Sequence, residues 1–225
     1  MRWAPVTSRI LALATQAARR VTDAAFPVSC VFCGECLQGE TPLCSGCHDD
    51  LPWLGRARDP VPPLTHIVTP LEYAFPVDAA IKAMKFRRKL FYVPAFAHLL
   101  MQSIDELAAD IDALLPMPLH WTRHATRGFN QAAEISRPVE RATGLPRLTN
   151  VIRHRRTPFQ SGLAAAQRKR NLSSAFRATG TINHRHVLIV DDVITTGESC
   201  RQLAKVVLAA GAEKVSALAV ARTLL

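Results

Sequence analysis

A chain of 225 residues, 48% hydrophobic and 20% charged, can bury one substantial core plus a small appendage, and its composition is that of a soluble globular protein. Its apolar stretches are too short or too interrupted to cross a bilayer, so no membrane span is expected. The formal charge of +10 is concentrated, with ten Arg or Lys and no Asp or Glu between Glu140 and Asp191. Such a field attracts polyanions, whether a pyrophosphate-bearing substrate or a nucleic acid. A solvated basic face has the same composition, and charge alone does not choose.

Residues 9–21 (RILALATQAARRV) place Arg before a short apolar run, as a signal peptide does. Gln16, Arg19 and Arg20 suit an amphipathic surface helix, which is the preferred reading for this lead-in of residues 1–29. With no convincing export signal the chain is expected in the cytoplasm.

Five of the six cysteines fall between residues 30 and 47, and four make Cys30-x2-Cys33-x10-Cys44-x2-Cys47. This is zinc-ribbon spacing: each C-x-x-C knuckle offers two thiolates, and two knuckles close a tetrahedral structural Zn2+ site. Paired disulfides are the alternative, disfavoured in a reducing compartment. Cys36 and His48 leave a small ambiguity in the ligand set. The module is read as residues 30–54. Five prolines from Pro52 to Pro70 mark a semi-rigid connector, 55–70. The remaining residues, 71–225, read as one domain.

Within that domain, Val77 to Leu90 places Ala80, Ile81, Met84 and Phe86 on one side of a helix, with Lys82, Lys85, Arg87, Arg88 and Lys89 around the rest. A second helix is expected from Pro94 to Ala109 and a buried strand from Asp112 to Pro116. The loop 116–131 is dense in prolines, cations and amides and precedes a helix ending near Gly144. Leu148 to Ile152 reads as another strand. Val187 to Val190 is a continuous aliphatic run, the pattern of a strand covered on both faces, which puts Asp191 and Asp192 at its carboxyl end. Helical spacing returns from Glu198 to Leu208, and a last strand spans Val215 to Val220. Strands alternating with helices predict an α/β fold with a parallel sheet flanked by helices. Ligands in such sheets bind outside the strands' carboxyl ends, where the loops 116–131, 153–171 and 191–199 emerge.

The 191–199 turn has the chemistry of a sugar-phosphate site. Gly197 allows close backbone approach and a positive φ. Exposed N–H groups, a helix N-terminus and the hydroxyls of Thr195, Thr196 and Ser199 hold a phosphate monoester. Asp191 and Asp192 accept from vicinal ribose hydroxyls or organise Mg2+. Phosphate plus diol implies a ribose 5-phosphate. An ordinary strand-to-helix turn and the acidic strand end of a P-loop protein are the alternatives; the latter is disfavoured because none of the ten glycines is followed by Lys.

The run His186-Val-Leu-Ile-Val-Asp-Asp-Val-Ile-Thr-Thr-Gly-Glu-Ser199 resembles the phosphoribosyl pyrophosphate (PRPP) signature of type I phosphoribosyltransferases. Further segments resemble the ComF family, which is related to those enzymes and named for competence in DNA uptake. They are the cysteine module, Tyr73 with Ile81-Lys-Ala-Met-Lys-Phe86, Pro116-x-Pro-Leu119 with Arg123 and Arg127-Gly-Phe-Asn-Gln131, and Arg153, Arg156-Thr157, Gln160, Arg168, Asn171 and Phe176. The likeness covers nearly everything from residue 26 onward.

The resemblance implies a type I phosphoribosyltransferase-like fold and assigns PRPP binding to Asp191, Asp192, Val193, Ile194, Thr195, Thr196, Gly197, Glu198 and Ser199. The two carboxylates would meet the ribose hydroxyls. Arg123 and Arg127 would handle pyrophosphate, and Arg156, Arg168 and Lys169 would sit on a flap that closes over PRPP, with small residues after Gly162 permitting movement. Mg2+ would accompany the PRPP, and the acceptor would be a nucleobase or other small nitrogen nucleophile. His120 and His124 are acid–base candidates or plain polar surface. The alternative that the resemblance raises is a non-enzymatic accessory of DNA uptake that binds single-stranded DNA and a competence helicase. A PRPP-sensing regulator is a third reading.

Overall fold

The computed structural model describes residues 28–37, 41–55, 61–104, 107, 109–154 and 175–224. The amphipathic lead-in and the flap residues Arg156, Arg168 and Lys169 lie outside the described residues. The chain divides into two compact units, Met1–Asp50 and Leu51–Leu225.

In the first unit, an antiparallel bridge joins Ser29 to Cys36, and one short helix follows, α1 (Ser45–Asp49). Cys44 caps it, its sulfur accepting the Cys47 N–H over 3.3 Å.

The second unit opens with β1 (Ile67–Val68) and β2 (Leu71–Glu72), then α2 (Val77–Arg87), a 3-10 turn at Leu90–Tyr92, and α3 (Val93–Ile104). Then come β3 (Ala113–Pro116), α4 (Trp121–Arg127), α5 (Gln131–Thr143), β4 (Val151–Arg153), β5 (Phe176–Ala178), β6 (His186–Ile194), α6 (Glu198–Ala209) and β7 (Lys214–Arg222). The main sheet runs β1-β7-β6-β3 with β2 also on β7, and all its pairings are parallel. The parallel α/β sheet flanked by helices is therefore as the sequence predicts. Ala113, Leu115, Val187, Ile189, Val215, Ala217 and Ala219 share one buried cluster with Cys200, Leu203, Ala204 and Val207 of α6. This is the period-2 pleat meeting the 3.6 period of a helix.

Four expectations are corrected. The stretch read as connector belongs partly to the sheet: Ile67 and Leu71 pair with Ala217 and Ala221 as two pieces of one edge strand. Pro70 has no N–H for a ladder, so the break falls there and the strand sits at an edge. Residues 52–54 also lie in this unit, with Leu54 N–H donating to the Pro70 carbonyl over 2.8 Å. Second, the expected strand at 148–152 is split. Leu148 pairs with the Leu114 carbonyl at the sheet edge, and β4 then leaves to form a separate antiparallel ribbon with β5. Third, the second long helix stops at Ile104, short of Ala109. Fourth, Phe86 is 74% exposed, because it falls two residues past Met84 and off the buried stripe of Val77, Ala80, Ile81 and Met84. Burying Ile81 and Met84 contributes about 1.5–3 kcal/mol each.

Candidate active site

Strand β6 continues four residues beyond the aliphatic run, its ladder holding through Ile194 opposite Arg222. Asp191 and Asp192 thus lie inside the strand rather than past its end, and both are buried. The Asp192 N–H donates to Asp191 Oδ1 over 2.9 Å. Burial pushes the Asp191 carboxyl well above the usual carboxylate range, and the neighbouring Asp192 charge pushes it further, against a smaller opposing pull from Lys85. Asp191 in turn acts on Cys200 of α6, whose thiol is raised first by burial and then by that charge.

Asp192 is held by two donors. Lys85, from the last turn of α2, contacts Oδ2, and Gln131 Nε2 reaches Oδ1 at 3.4 Å. Gln131 is the first residue of α5, which Asn130 caps by accepting the Ala132 N–H over 3.1 Å. Arg127 donates to Gln131 Oε1, and its guanidinium lies 5.7 Å from the Phe86 ring centre. Burial lowers the Arg127 guanidinium, Asp192 raises it and Arg123 lowers it. Arg153 has the same character: burial lowers it first, Arg123 adds to that, and Asp191 opposes. Arg153 also lies over Phe176, 5.4 Å from the ring centre. Lys85 thus meets Asp192 directly and Arg127 reaches it through Gln131, while Arg153 is within electrostatic reach of Asp191, and Arg123 of Arg127 and Arg153.

The expected 116–131 loop contains a helix, α4. The His120 Nδ1 accepts the Thr122 N–H over 3.3 Å to start it, and Gly128 at φ 80° ends it. This helix is what carries Arg123 and Arg127. His120 is buried by its capping role whereas His124 is exposed.

Beyond the pair, Thr195 and Thr196 are exposed and Gly197, at φ 71°, is the N-cap of α6. A Cβ there would meet only ordinary contacts at 3.8 Å, so glycine is required by conformation rather than by space. Thr196 Oγ1 accepts the Glu198 N–H at 3.4 Å. Glu198 turns its carboxylate along its own helix to Arg201 at 2.8 Å and Gln202 at 2.7 Å.

In the first unit the Sγ atoms of Cys30, Cys33, Cys44 and Cys47 all lie within 4.8 Å of one another. Cys33 and Cys44 sulfurs are 3.7 Å apart, and Zn–S bonds of about 2.3 Å in a tetrahedron require sulfur separations of about 3.8 Å. The four thiols can hold a metal such as zinc. Cys36 is outside this group, and His48 Nδ1 faces Asp49 at 3.2 Å. Burial raises the Cys30 thiol, but backbone donors from Cys33, Cys44 and Phe32 outweigh it and leave it at about 6.

Sequence reasoning did not single out Lys85, Gln131 or Arg153 as site residues. Lys85 and Gln131 follow from helix geometry: each lies beside buried positions of its helix and so faces the sheet edge. Arg153 stands in the family likeness, but nothing local assigns it to the site, since β4 is off the main sheet.

Fold and site together define an α/β protein with a buried acidic pair and a collar of cations at the carboxyl edge of a parallel sheet. The chain belongs to the ComF family. It is 34% identical over 206 residues to the DNA utilization protein YhgH of Escherichia coli (strain K12), covering 87% of this chain and 90% of that protein. Competence protein F of Haemophilus influenzae is 28% identical over 224 residues, covering 88% and 98%. No family model matches the chain. Among solved structures, the allosteric regulatory enzyme of purine biosynthesis aligns with 56% of this chain and 25% of its own, at 21% identity and a TM-score of 0.36.

Proposed function

We propose that the 191–199 segment binds PRPP with Mg2+ and that the protein transfers the phosphoribosyl group to a nucleobase or other nitrogen nucleophile, releasing pyrophosphate. The observation that carries this reading is the buried Asp191–Asp192 pair, with Lys85 on Asp192 and Arg127 linked to it through Gln131, directly before the α6 N-terminus. The 5-phosphate takes the Thr195–Ser199 turn, the ribose hydroxyls the carboxylates, and the pyrophosphate the cations. Breaking the C1–O bond builds negative charge on the leaving pyrophosphate and positive charge on the ribose. Fixed cations stabilise the former and the Asp192 carboxylate the latter. Asp191 and Asp192 supply oxygen donors for Mg2+, which when bound neutralises phosphate charge. No protein nucleophile is needed.

Calorimetry of Mg-PRPP with the wild type and with Asp191→Asn/Asp192→Asn tests the reading, alongside a nucleobase panel assayed for pyrophosphate release. Binding lost in the variant supports it; no binding at millimolar PRPP overturns it.

The relatives' names, "DNA utilization protein" and "Competence protein F", together with the basic stretch between Glu140 and Asp191, favour a second reading. There the protein assists uptake of single-stranded DNA in the cytoplasm alongside a helicase. Its test is DNA binding with a steep salt slope that charge reversal at Arg155, Arg156 and Arg168 weakens.

A further inference from the structure

We propose that Lys85 selects for ligands carrying an anionic group at C1: it neutralises Asp192 in the free protein, and its ammonium moves to the C1 substituent when a ribose hydroxyl takes its place. The inference rests on the reading of the site given above.

In the free protein both Asp192 oxygens are occupied, Oδ2 by Lys85 and Oδ1 by Gln131. The Asp192 side chain is only 4% exposed, so a ribose hydroxyl reaches its carboxylate only where one of the donors covering it withdraws. Gln131 is poorly placed to do so. It is buried, it stands at the first turn of α5, and its carbonyl is fixed by Arg127. Lys85 carries its charge on a flexible four-carbon stem, and its side chain keeps 19% exposure against 4% for Asp192. The lysine is therefore the donor that yields.

Where its charge goes follows from the sugar. The C1 substituent neighbours the 2-hydroxyl, whereas the 5-phosphate lies at the other end of the ribose and belongs to the α6 N-terminus. An ammonium displaced from Asp192 by the 2-hydroxyl is already beside C1. With a pyrophosphate there, it exchanges one anion for another. With a neutral C1 hydroxyl, as in ribose 5-phosphate, it leaves a carboxylate and finds no partner, so binding is opposed. One side chain thus balances the Asp192 charge in the free protein and discriminates between ligands that share the same ribose and 5-phosphate.

The test compares Mg-PRPP and ribose 5-phosphate affinities by calorimetry in the wild type, Lys85→Met and Lys85→Gln. Lys85→Gln retains a donor for Asp192, so it carries the comparison where Lys85→Met does not fold. The expected result is a loss of at least tenfold in PRPP affinity with ribose 5-phosphate unchanged or tighter, collapsing the preference. A preference retained in the variants, or both ligands weakened equally, overturns the inference and makes Lys85 a structural counter-ion. A wild type that binds neither ligand overturns the site reading itself, and the inference with it.

Discussion

Oδ1 of Asp191 accepts the backbone N–H of the residue that most opposes its ionisation, Asp192, over 2.9 Å. The native carboxyl is held above its ordinary range by burial and then by that neighbouring charge. Native protein therefore binds a proton at Asp191 that the unfolded chain releases above about pH 4. Stability contributed by this group falls as pH rises from there until the native carboxyl ionises. Asp191→Asn keeps an oxygen to accept the Asp192 N–H and abolishes the ionisation. It is expected to raise stability by about 1 kcal/mol at neutral pH and to flatten the fall, read from melting temperatures across pH, while PRPP binding is lost. A variant less stable than wild type at neutral pH would contradict this account.

At the opposite end of β6 a second polar group is purely structural. His186 Nε2 lies 2.8 Å from Ser216 Oγ and Nδ1 lies 2.8 Å from Asp110 Oδ1, while Lys214 reaches Asp110 Oδ2 at 2.8 Å. The order resembles a hydrolytic triad, but Ser216 and His186 are both 0% exposed, so no acyl donor can reach the hydroxyl. The network ties β6 to β7 and to the chain before β3. Ser216→Ala is expected to cost about 1 kcal/mol and His186→Ala about 3, since the latter orphans two partners and leaves a cavity. A fluorophosphonate probe is expected not to label Ser216.

Asp110 gives this network a pH signature. The Lys214 hydrogen bond, followed by His186, holds its carboxyl well below the ordinary range. A depressed acid contributes stability above its unfolded value, about 4, and loses it as pH falls toward the native value. Asp110→Asn is expected to reduce stability at neutral pH and to shrink its loss between about pH 4 and pH 2, as followed by denaturant midpoints.

How much of this was legible in the sequence depended on whether the determinant was local. The β6 strand, the Gly197 turn and α6 announce themselves through an unbroken aliphatic run, a glycine and a returning helical period; the turn and α6 stand where expected, while β6 runs on through Asp191 and Asp192 to Ile194. The collar is less legible. Arg127, Arg123 and Lys85 all stand in segments of the family likeness, but Lys85 is one of five cations in a single stretch, and only the burial of Ala80, Ile81 and Met84 fixes which of them meets Asp192. The edge strand at 67–72 was hidden by Pro70, and β4 by pairing with a segment more than twenty residues away. Non-local pairings of that kind leave no periodicity to read.

Two glycines separate conformation from crowding. Gly211, at φ +120°, would place a Cβ 2.9 Å from the Ile182 carbonyl oxygen, an atom tethered by the Ile182 N–H to Ala210 carbonyl bond. Gly144, at φ +69°, has nothing within 4 Å. Gly144→Ala is expected to cost about 1 kcal/mol, the left-handed penalty alone. Gly211→Ala should cost roughly 2 kcal/mol or more, because backbone must also move. Equal losses in chemical denaturation would show that the Ile182 contact relaxes freely.

The cysteine module has little apolar core to hold it. Among the described residues between 28 and 50, only Cys30 and Leu43 are buried, far too small an apolar core to offset the entropy of ordering the segment. Four thiols within 4.8 Å can hold a metal, and a structural zinc there would contribute its binding free energy directly to folding. Purified protein is expected to carry one zinc per chain by metal analysis. Chelation should speed amide exchange throughout 28–50 while β6 and β7, which have their own core, stay protected. Cys44→Ser is expected to reproduce that loss without chelator. Cys36→Ser is expected to retain the metal, because Cys36 lies outside the cluster. Zinc lost equally from both variants would move Cys36 into the ligand set, and a metal-free protein with slow exchange at 28–50 would remove zinc from the account of this module.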